Sequence, residues 1–285
     1  MITSILTLLR PHHYIKNSFI FLPLFFGLKV FELHLIYQLL LSFIGFSSIA
    51  SAVYIFNDTL DIKLDQNHPI KKYRPLASGS VPLKLAFFLA TLLLLFGFSI
   101  AIFQQIAFIF LFYVLLNIVY SLKLKHIPII DVFIIAIGFV IRLFIGATVT
   151  SVELSIWIVI MTFLLALFLA FSKRKCDLVS LKGTSNARPV LVSYNHEFLS
   201  TCMAIMASVV IVSYIMYTTS SSVLASTNSD YVYFTSIFVL FGILRYLSIT
   251  YFEKTTDNPT KILLHDIWLQ LSIIGWLISF AVMLY

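Results

Sequence analysis

The sequence predicts an all-α polytopic membrane protein, and two observations lead to that fold class. Charged residues make up 11% of the 285 residues, against about 25% in an ordinary soluble domain, and the mean hydropathy is +1.02. Apolar stretches of about 20 residues, long enough to cross a bilayer core of roughly 30 Å, recur along the whole chain. Because backbone groups in lipid must be paired within the stretch itself, these stretches should be helices rather than the alternating strands of a membrane barrel.

Nine apolar segments are predicted to span the membrane as helices. The first is short and is interrupted by Pro23 and Gly27, so it is the least regular of the nine. Each of the others is close to the length that a bilayer crossing requires. The nine segments are residues 18–33, 35–56, 82–102, 105–121, 129–148, 154–172, 198–218, 231–251 and 265–285.

The distribution of lysine and arginine predicts how the chain is inserted. With nine spans, one side holds the N-terminus and four charged loops, and sixteen of the nineteen basic residues lie there or at the edges of those segments. Cytoplasmic loops carry such an excess. We therefore expect an integral protein of the bacterial inner (plasma) membrane, with its N-terminus cytoplasmic and its C-terminus outside. The four loops are residues 57–81, 122–128, 173–197 and 252–264.

The remaining composition narrows the class of protein further. The net charge of +7 is explained by topology together with a polyanionic ligand, so nucleic acid is not expected as a partner. Cys176 and Cys202 lack the spacing of a metal site and give no reason to expect a disulfide. The N-terminus has no pattern of a cleaved signal peptide. We predict one transmembrane domain over residues 1–285, and a homo-oligomer is compatible with the sequence.

One stretch, Asn57–Gly79, concentrates the charge of the chain and reads NDTLDIKLDQNHPIKKYRPLASG. Its carboxylates Asp58, Asp61 and Asp65 are spaced i, i+3 and i+7, which places them on one face of a helix. Three neighbouring carboxylates repel one another unless a cation is present. Mg²⁺ prefers oxygen ligands and usually takes one or two carboxylates together with substrate phosphates. We therefore predict that the three aspartates are catalytic and ligate Mg²⁺.

Basic residues follow the aspartates in the same stretch. Asn57 offers a neutral ligand or a hydrogen-bond donor, and Lys71, Lys72 and Arg74 can bind phosphate oxygens, arginine in a bidentate manner. We predict a catalytic role for Arg74 and substrate binding for Asn57 and Lys71. For the lysines, a solvated loop that merely follows the topology rule is an equally good interpretation. That alternative does not explain the aspartates, because acidic residues contribute little to topology.

Three further polar segments are predicted to bind substrate. RPHHYIKN (Arg10–Asn17) presents Lys16 and Asn17 beside Arg10 just before the first span. The segment YSLKLKHIPIID joins two spans and contributes Tyr120 and Lys125. The third segment, KRKCD, follows the sixth span. It contributes Lys173 and Arg174, which are either ligands of a phosphate or anchors of topology.

Arg142 lies near the middle of an apolar span. An arginine at that depth costs at least about 2.5–3.5 kcal/mol on insertion scales, so it is by default a functional or a paired residue. Asp131 and a lipid phosphate are the candidate partners. A structural ion pair and a role in substrate binding are equally compatible with its position.

These motifs resemble those of a known family. NDTLDIKLD fits the first acidic motif, N-D-x-x-D-x-x-x-D, of the UbiA-type intramembrane prenyltransferase superfamily. More narrowly, the chain resembles the decaprenyl-phosphate phosphoribosyltransferases along nearly its whole length. The segments that carry this resemblance are RPHHYIKN, VYIFNDTLDIKLDQNHPIKKYRPLASG, YSLKLKHIPIIDVFIIAIGFVIRLFIGA, KRKCDL and LRYL.

The resemblance implies a fold and a reaction. The fold is a UbiA-type bundle of about nine transmembrane helices around a cytoplasm-facing cavity. The reaction is Mg²⁺-dependent transfer of 5-phosphoribose from phosphoribosyl diphosphate to a polyprenyl phosphate, with release of diphosphate, for cell-envelope polysaccharide synthesis. The resemblance and the residues together leave open whether Lys16, Lys173 and Arg174 bind the lipid phosphate or the donor.

The chain departs from the family pattern at two places. Tyr14 stands where the family usually has tryptophan, which exchanges one amphipathic aromatic side chain for another. Asp177 is the only acid in KRKCDL, where the aromatic prenyltransferases of the superfamily carry a second Asp-rich motif. That departure argues against the main alternative, a UbiA-type enzyme that uses an isoprenyl diphosphate and an aromatic acceptor. The other alternative is a transporter or a membrane-embedded binding protein. It would carry polar residues inside several helices and a pathway to both faces, and the outer face here is nearly free of charge.

Overall fold

The computed structural model describes residues 2–68, 70–180, 193–220, 223–224, 231–252 and 259–284. Parts of two predicted basic loops, residues 181–192 and 253–258, lie outside the described residues, as does Pro69 of the charged stretch. The described elements are all helices, as the composition predicts. The chain divides into two compact units, Met1–Leu154 and Ser155–Tyr285, and each is described by itself.

The first unit contains seven α-helices among its described residues, and three 3-10 segments connect them. The 3-10 segments are Pro11–Phe21, Lys71–Tyr73 and Leu124–His126. The helices are α1 (Ile2–Leu9), α2 (Leu22–Phe26), α3 (Leu33–Leu60), α4 (Ile62–Gln66), α5 (Leu83–Phe103), α6 (Ala107–Leu122) and α7 (Ile130–Thr150).

The second unit contains five described α-helices and the short 3-10 segment Val232–Thr235. Tyr214 links three of these elements, since its hydroxyl lies 2.7 Å from Thr235 Oγ1 and accepts a 2.6 Å hydrogen bond from Trp276 Nε1. These three polar groups are thus paired across helices. The helices are α8 (Ile156–Ser180), α9 (His196–Thr218), α10 (Ser236–Phe252), α11 (Pro259–His265) and α12 (Ile267–Leu284).

Eight of the nine predicted spans are helices over their described residues. Six helices in the described part of the chain are long and apolar enough to cross a membrane, and Ala107–Leu122 and Ile267–Met283 are shorter apolar helices. The first predicted span is wrong as a single helix: a 3-10 segment ends at Phe21, and α2 stops at Phe26. Proline removes a backbone donor, and Gly27 follows at the end of α2. The count of nine spans stays a prediction.

Helix α3 is the centre of the first unit. It packs against α5, α6, α7 and the 3-10 segment Pro11–Phe21. Close approach to α5 requires glycine, because a Cβ on Gly97 would lie 2.8 Å from the carbonyl oxygen of Gly45 and 2.4 Å from the side chain of Ile49. Small residues let membrane helices approach closely in this way. The tight packing holds the C-terminal end of α3, which carries Asp58, in a defined position.

A glycine also lets helix α7 pack closely against the 3-10 segment Pro11–Phe21. A Cβ on Gly146 would lie 2.0 Å from the carbonyl oxygen of Ile20. Any side chain at this position would therefore push the N-terminal segment away from α7. The consequence is that residues 11–21, although not α-helical, are packed firmly between α3 and α7.

Candidate active site

The aspartates of the charged stretch lie at the junction of α3 and α4. Asp58 is in the last turn of α3, Asp61 joins the two helices, and Asp65 is in α4. Backbone bonds continue through the junction, since Asp61 N–H donates to Asn57 at 3.1 Å and Asp65 N–H donates to Asp61 at 2.8 Å. All three side chains are buried while Leu64 is exposed. The predicted common face is therefore present, and it points into the protein.

Arg10 binds Asp58 from the end of α1. Its Nη2 lies 2.6 and 2.7 Å from the two carboxylate oxygens of Asp58. The backbone of Arg10 is left-handed, with φ 55° and ψ 54°, and its N–H donates to the carbonyl of Leu6. At the end of a helix, this left-handed conformation is usually adopted by glycine or asparagine. A strained non-glycine residue is often a sign of function, and here the strained position delivers a guanidinium to a buried carboxylate.

Arg74 bridges two of the carboxylates. Its Nη1 lies 3.1 Å from Asp58 Oδ1 and 2.6 Å from Asp65 Oδ2. The two oxygens are thus no farther apart than the sum of those distances, with a positive group between them. Arg74 follows the 3-10 turn Lys71–Tyr73, which returns the chain toward α4.

Lys125 neutralises the third aspartate. Its Nζ lies 2.6 Å from Asp61 Oδ1 and 3.4 Å from Asn57 Oδ1. Asn57 Nδ2 donates in turn to Asp61 Oδ2 at 3.1 Å. Lys125 comes from the 3-10 segment between α6 and α7 and is 9% exposed. Asp61 therefore has a polar environment of its own, separate from the two carboxylates that Arg74 joins.

The site contains as many cations as carboxylates. Arg10, Arg74 and Lys125 balance the charges of the three aspartates. The aspartates themselves are only 3–6% exposed. Withdrawing a single partner would leave a buried charge without compensation, which costs far more than removing an entire pair. The arrangement is compact and electrically neutral. The three cations could turn to a polyanion only if another positive charge took their place beside the aspartates.

The fit of a metal ion to these residues can be judged from the same distances. Within the described ranges, no three His, Cys, Asp or Glu side chains converge to hold one ion. The three aspartates consequently do not meet at a single point. The position between Asp58 and Asp65, however, already accommodates the positive Nη1 of Arg74. Two carboxylates with phosphate oxygens are the donors that Mg²⁺ prefers, so this pair fits Mg²⁺ better than the full triad.

Arg142 is buried in α7 next to the N-terminal segment. It is 4% exposed, its Nε donates to Asn17 Oδ1 at 2.9 Å, and a second nitrogen donates to the carbonyl of Gly138. Asn17 Nδ2 donates to Ser47 Oγ at 2.8 Å. Asp131 is not its partner, because eleven residues of helix, roughly 16 Å of rise, separate the two. Arg142 is therefore buried and paired, as its position in the sequence predicts. Of its two predicted partners, Asp131 is excluded, and a lipid phosphate stays a prediction.

Aromatic rings complete the surroundings of Arg142. Its guanidinium carbon lies 4.9 Å from the ring centroid of Phe46, 5.6 Å from that of Tyr113 and 5.3 Å from that of Phe139. Desolvated cation–π contacts of this kind contribute about 2 kcal/mol or more. Arg142 is held by neutral groups, and its structural role is to tie residues 11–21 to α3 and α7.

The other predicted residues are distributed over both units. Lys16, Lys71 and Tyr120 are half-buried in the first unit. Lys173 and Arg174 lie in the second unit on α8, where Arg174 is 2% exposed. The structure therefore brings Asn57, the aspartates, Arg74 and Lys125 into one cluster.

The cluster contains one residue that the sequence did not rank among the site residues. Arg10 stands in RPHHYIKN, the segment from which Lys16 and Asn17 are predicted to bind substrate. The Arg-Pro pair indicates the end of α1, because the residue before a proline is disfavoured in a continuing helix. Its contact with Asp58, 48 residues away, has no signature in the sequence.

Comparisons with known proteins agree with the resemblance. The chain matches the UbiA prenyltransferase family over residues 20–280. It is 27% identical to the decaprenyl-phosphate phosphoribosyltransferase of Corynebacterium glutamicum, over 97% of this chain and 85% of that protein. It is 26% identical to the protein of the same name from Mycolicibacterium smegmatis, over 100% of this chain and 93% of that protein.

The fold is also similar to solved structures. A UbiA homolog from Archaeoglobus fulgidus bound to GPP and Mg²⁺ gives a TM-score of 0.72 at 17% identity, over 98% of this chain and 99% of that chain. The same homolog bound to DMAPP and Mg²⁺ gives 0.70, also over nearly the full length. The family match, the names of the relatives and the apolar helices together define an integral membrane enzyme of the transferase class. The chain belongs to the UbiA prenyltransferase family.

Proposed function

We propose that the protein transfers 5-phosphoribose from phosphoribosyl diphosphate to a polyprenyl phosphate and releases diphosphate. The observation that carries the proposal is the cluster of three cations around three buried carboxylates. Such a cluster suits a donor whose leaving group is a diphosphate. Support for the sugar donor comes from the similarity over nearly the full length to proteins named decaprenyl-phosphate phosphoribosyltransferase.

The two carboxylates that Arg74 bridges are the proposed metal ligands. Asp58 and Asp65 would hold Mg²⁺, which supplies positive charge for the developing diphosphate. Arg74 would then be free to donate to phosphate oxygens, as a bidentate guanidinium does well. Arg10 stays with Asp58 and holds its orientation. Fixed charges aimed at a leaving group commonly provide the largest part of catalysis.

The bond changes require no general base. The C1–O bond between the ribose and the diphosphate breaks, and its electron pair leaves with the diphosphate. An oxygen of the lipid phosphate supplies the pair for the new C1–O bond, through an oxocarbenium-like state as in glycosyl transfer. The attacking oxygen is already anionic at neutral pH, so no proton has to be removed. Lys125 and Asn57 hold Asp61 in place at the edge of the cation cluster.

A second candidate is transfer of an isoprenyl group from its diphosphate to an aromatic acceptor. The solved UbiA homologs bound to GPP or DMAPP favour this possibility. The motif KRKCDL argues against this candidate, because it lacks the second group of aspartates. Asp177 is the one acid of that motif, and it pairs with Arg174 at 3.4 Å, which leaves no second carboxylate cluster among the described residues to hold such a donor.

We also propose an orientation of the protein in the membrane. Sixteen of nineteen basic residues fall on one predicted side, which supports a cytoplasmic N-terminus, an outer C-terminus and a cytoplasm-facing cavity in the bacterial inner membrane. We further propose that residues 1–285 act as one catalytic domain, since the family match runs from 20 to 280. The lipid product would serve cell-envelope polysaccharide synthesis. Oligomerisation is compatible with this picture and is testable by mass in detergent.

The test is a transfer assay with purified protein in detergent. Radiolabelled phosphoribosyl diphosphate, polyprenyl phosphate and Mg²⁺ are mixed, and the label in the organic phase is counted. We expect transfer that EDTA abolishes and that excess Mg²⁺ restores. A parallel reaction contains labelled isoprenyl diphosphate and an aromatic acceptor. Transfer in that reaction alone would assign the protein to the second candidate.

A further inference from the structure

Lys175 is a buried cation in the second unit that the proposed chemistry has not used. It lies near the C-terminal end of α8 and is 3% exposed. Its Nζ lies 3.6 Å from the ring centroid of Tyr251 on α10. Throughout the described part of the chain this nitrogen has no hydrogen-bond acceptor. An ammonium carries three N–H donors, and none of the three has an acceptor among the described residues.

Two described acids of the second unit are already engaged with arginines. Asp177 pairs with Arg174, and Asp266 accepts 2.6 Å and 3.1 Å hydrogen bonds from Arg245. The ring of Tyr251 offers its negative face to Lys175, which attracts the charge but accepts no strong hydrogen bond. A buried ammonium without acceptors is unfavourable unless an anion joins it.

A second unpaired donor contacts the same tyrosine. Ser200, in the first turns of α9, has a buried hydroxyl for which the described ranges offer no hydrogen-bond partner. A helical serine ordinarily donates to the carbonyl four residues earlier, as Ser208 does to Ala204 at 2.9 Å. The carbonyl of Ser200 accepts a 3.0 Å hydrogen bond from the hydroxyl of Tyr251. Tyr251 therefore contacts both Lys175 and the backbone of Ser200, two residues whose buried donors lack acceptors in the part of the chain that the structure describes.

The surroundings favour an anion over any other ligand. The N-terminal end of α9 carries the positive pole of the helix dipole, which stabilises negative charge nearby. Lysine as a point charge, a serine hydroxyl and a helix N-terminus are the groups that bind phosphate in many proteins. Apolar side chains of α9 that are 40% exposed or more, such as Val209 and Val212, continue along the same helix. A phosphate attached to an apolar chain matches this combination.

We propose that Lys175 and Ser200 bind the phosphate monoester of the acceptor lipid. The inference rests on the proposed function, because that function supplies a polyprenyl phosphate as substrate. It assigns the lipid phosphate to the second unit, whereas the diphosphate of the donor belongs with the cations of the first. The ring of Tyr251 holds the ammonium in position until the anion arrives.

The experiment measures binding of a short-chain polyprenyl phosphate to the full-length protein in phosphatidylcholine nanodiscs, without donor. The variants are Lys175→Met, Lys175→Arg and Ser200→Ala. Ser208→Ala is the matched control, since it removes a helical serine whose hydroxyl is already paired, and Lys261→Met removes an exposed lysine of the same unit. The corresponding polyprenol, phosphatidylglycerol, inorganic phosphate and phosphoribosyl diphosphate are titrated in parallel.

We expect Lys175→Met to weaken polyprenyl phosphate binding at least tenfold and Ser200→Ala to weaken it several-fold, with Lys175→Arg within about threefold of wild type. Polyprenol and phosphoribosyl diphosphate should bind as before, and both control variants should behave as wild type. Should Lys175→Met fail to fold, Ser200→Ala and Lys175→Arg carry the test.

Several results would overturn the inference. One is unchanged polyprenyl phosphate binding in both Lys175→Met and Ser200→Ala. Another is an equal loss for polyprenol, which would show that packing and not the phosphate is recognised. Preferential loss of phosphatidylglycerol, inorganic phosphate or phosphoribosyl diphosphate would assign the site to that source instead. If wild type transfers phosphoribose while these variants bind the lipid normally, only the assignment of the lipid phosphate to Lys175 and Ser200 is wrong. If wild type binds no polyprenyl phosphate, the proposed function falls with it.

Discussion

Arg10 reaches Asp58 from a left-handed residue. One guanidinium nitrogen lies 2.6 and 2.7 Å from the two carboxylate oxygens, and the backbone that positions it has φ 55°. Left-handed backbone costs a non-glycine residue roughly 1–2 kcal/mol. The side chain at this position therefore offsets a local conformational cost with a buried, charge-assisted contact.

This relationship separates the backbone and charge effects of position 10. Arg10→Ala and Arg10→Gly both remove the cation, and both should lose most transfer activity. Glycine, however, accepts the left-handed conformation, so Arg10→Gly should be more stable than Arg10→Ala by about 1 kcal/mol. Denaturant unfolding in detergent measures this difference. Equal stability of the two variants would show that the backbone at position 10 is not strained.

Arg74 occupies the proposed cation position between Asp58 and Asp65. Removing it with Arg74→Gln leaves two buried carboxylates that repel each other, so the variant should be less stable than wild type by about 3–5 kcal/mol. Added Mg²⁺ should restore part of this loss, because ligands of the folded state stabilise by mass action. The unfolding midpoint with and without Mg²⁺ is the measurement.

Lys72→Gln serves as the control for Arg74→Gln. It removes an exposed cation from the same turn, and its response to Mg²⁺ should equal that of wild type. If Mg²⁺ raised the midpoint of Arg74→Gln no more than that of Lys72→Gln, the position between Asp58 and Asp65 would not be a metal site.

The aspartates should differ in their dependence on Mg²⁺. Asp58→Asn and Asp65→Asn each weaken a proposed ligand and should raise the Mg²⁺ concentration for half-maximal transfer at least tenfold, about 1.4 kcal/mol. Asp61→Asn should lower turnover with a smaller change in Mg²⁺ dependence, because Lys125 holds Asp61 at 2.6 Å. Titration of Mg²⁺ in the transfer assay distinguishes the two patterns. Equal shifts for all three variants would support a shared three-carboxylate site.

Lys125 and Asp61 should be strongly coupled in stability. Each of Lys125→Met and Asp61→Asn leaves one charge of a buried pair unmatched, whereas the double variant removes both. We expect a coupling energy of about 1–3 kcal/mol from a double-mutant cycle in detergent. The exposed pair His34–Glu32, at 3.7 Å, is the reference and should couple by less than about 1 kcal/mol. Additivity at Lys125 and Asp61 would contradict a buried ion pair.

Asn17 should be required for the stability of the buried Arg142. Asn17→Leu removes the acceptor of Arg142 Nε and the donor to Ser47. Each buried group left unsatisfied costs about 1–3 kcal/mol. Asn17→Asp keeps an acceptor for Arg142, and the hydroxyl of Ser47 can donate to it instead, so this variant should remain closer to wild type. Thermal unfolding of the two variants makes the comparison, and an Asn17→Leu protein as stable as Asn17→Asp would refute the role of this contact.

Several features could be predicted from the sequence because they depend on neighbours along the chain. Runs of apolar residues become helices since lipid offers the backbone no other partner. Helices α3, α5, α7 and α9 lie within about four residues of the predicted bounds, whereas α8 runs to Ser180, past its predicted end at residue 172. The spacing of Asp58, Asp61 and Asp65 placed them on one face for the same local reason. Even the failure at residues 18–33 has a local cause in Pro23 and Gly27, which the sequence displayed.

Partners far apart in the chain were decided only by the tertiary structure. Lys125 meets Asp61 across 64 residues, and Arg142 meets Asn17 across 125. Nothing in composition or periodicity selects Asn17 over Asp131 as the partner of Arg142. The packing of α3 against α5, α6 and α7 makes that choice, because interior side chains pair with whatever polar group the close-packed helices bring within about 3 Å. The sequence by itself determined the membrane helices and the acidic face, and the packing of those helices determined which cation each carboxylate binds.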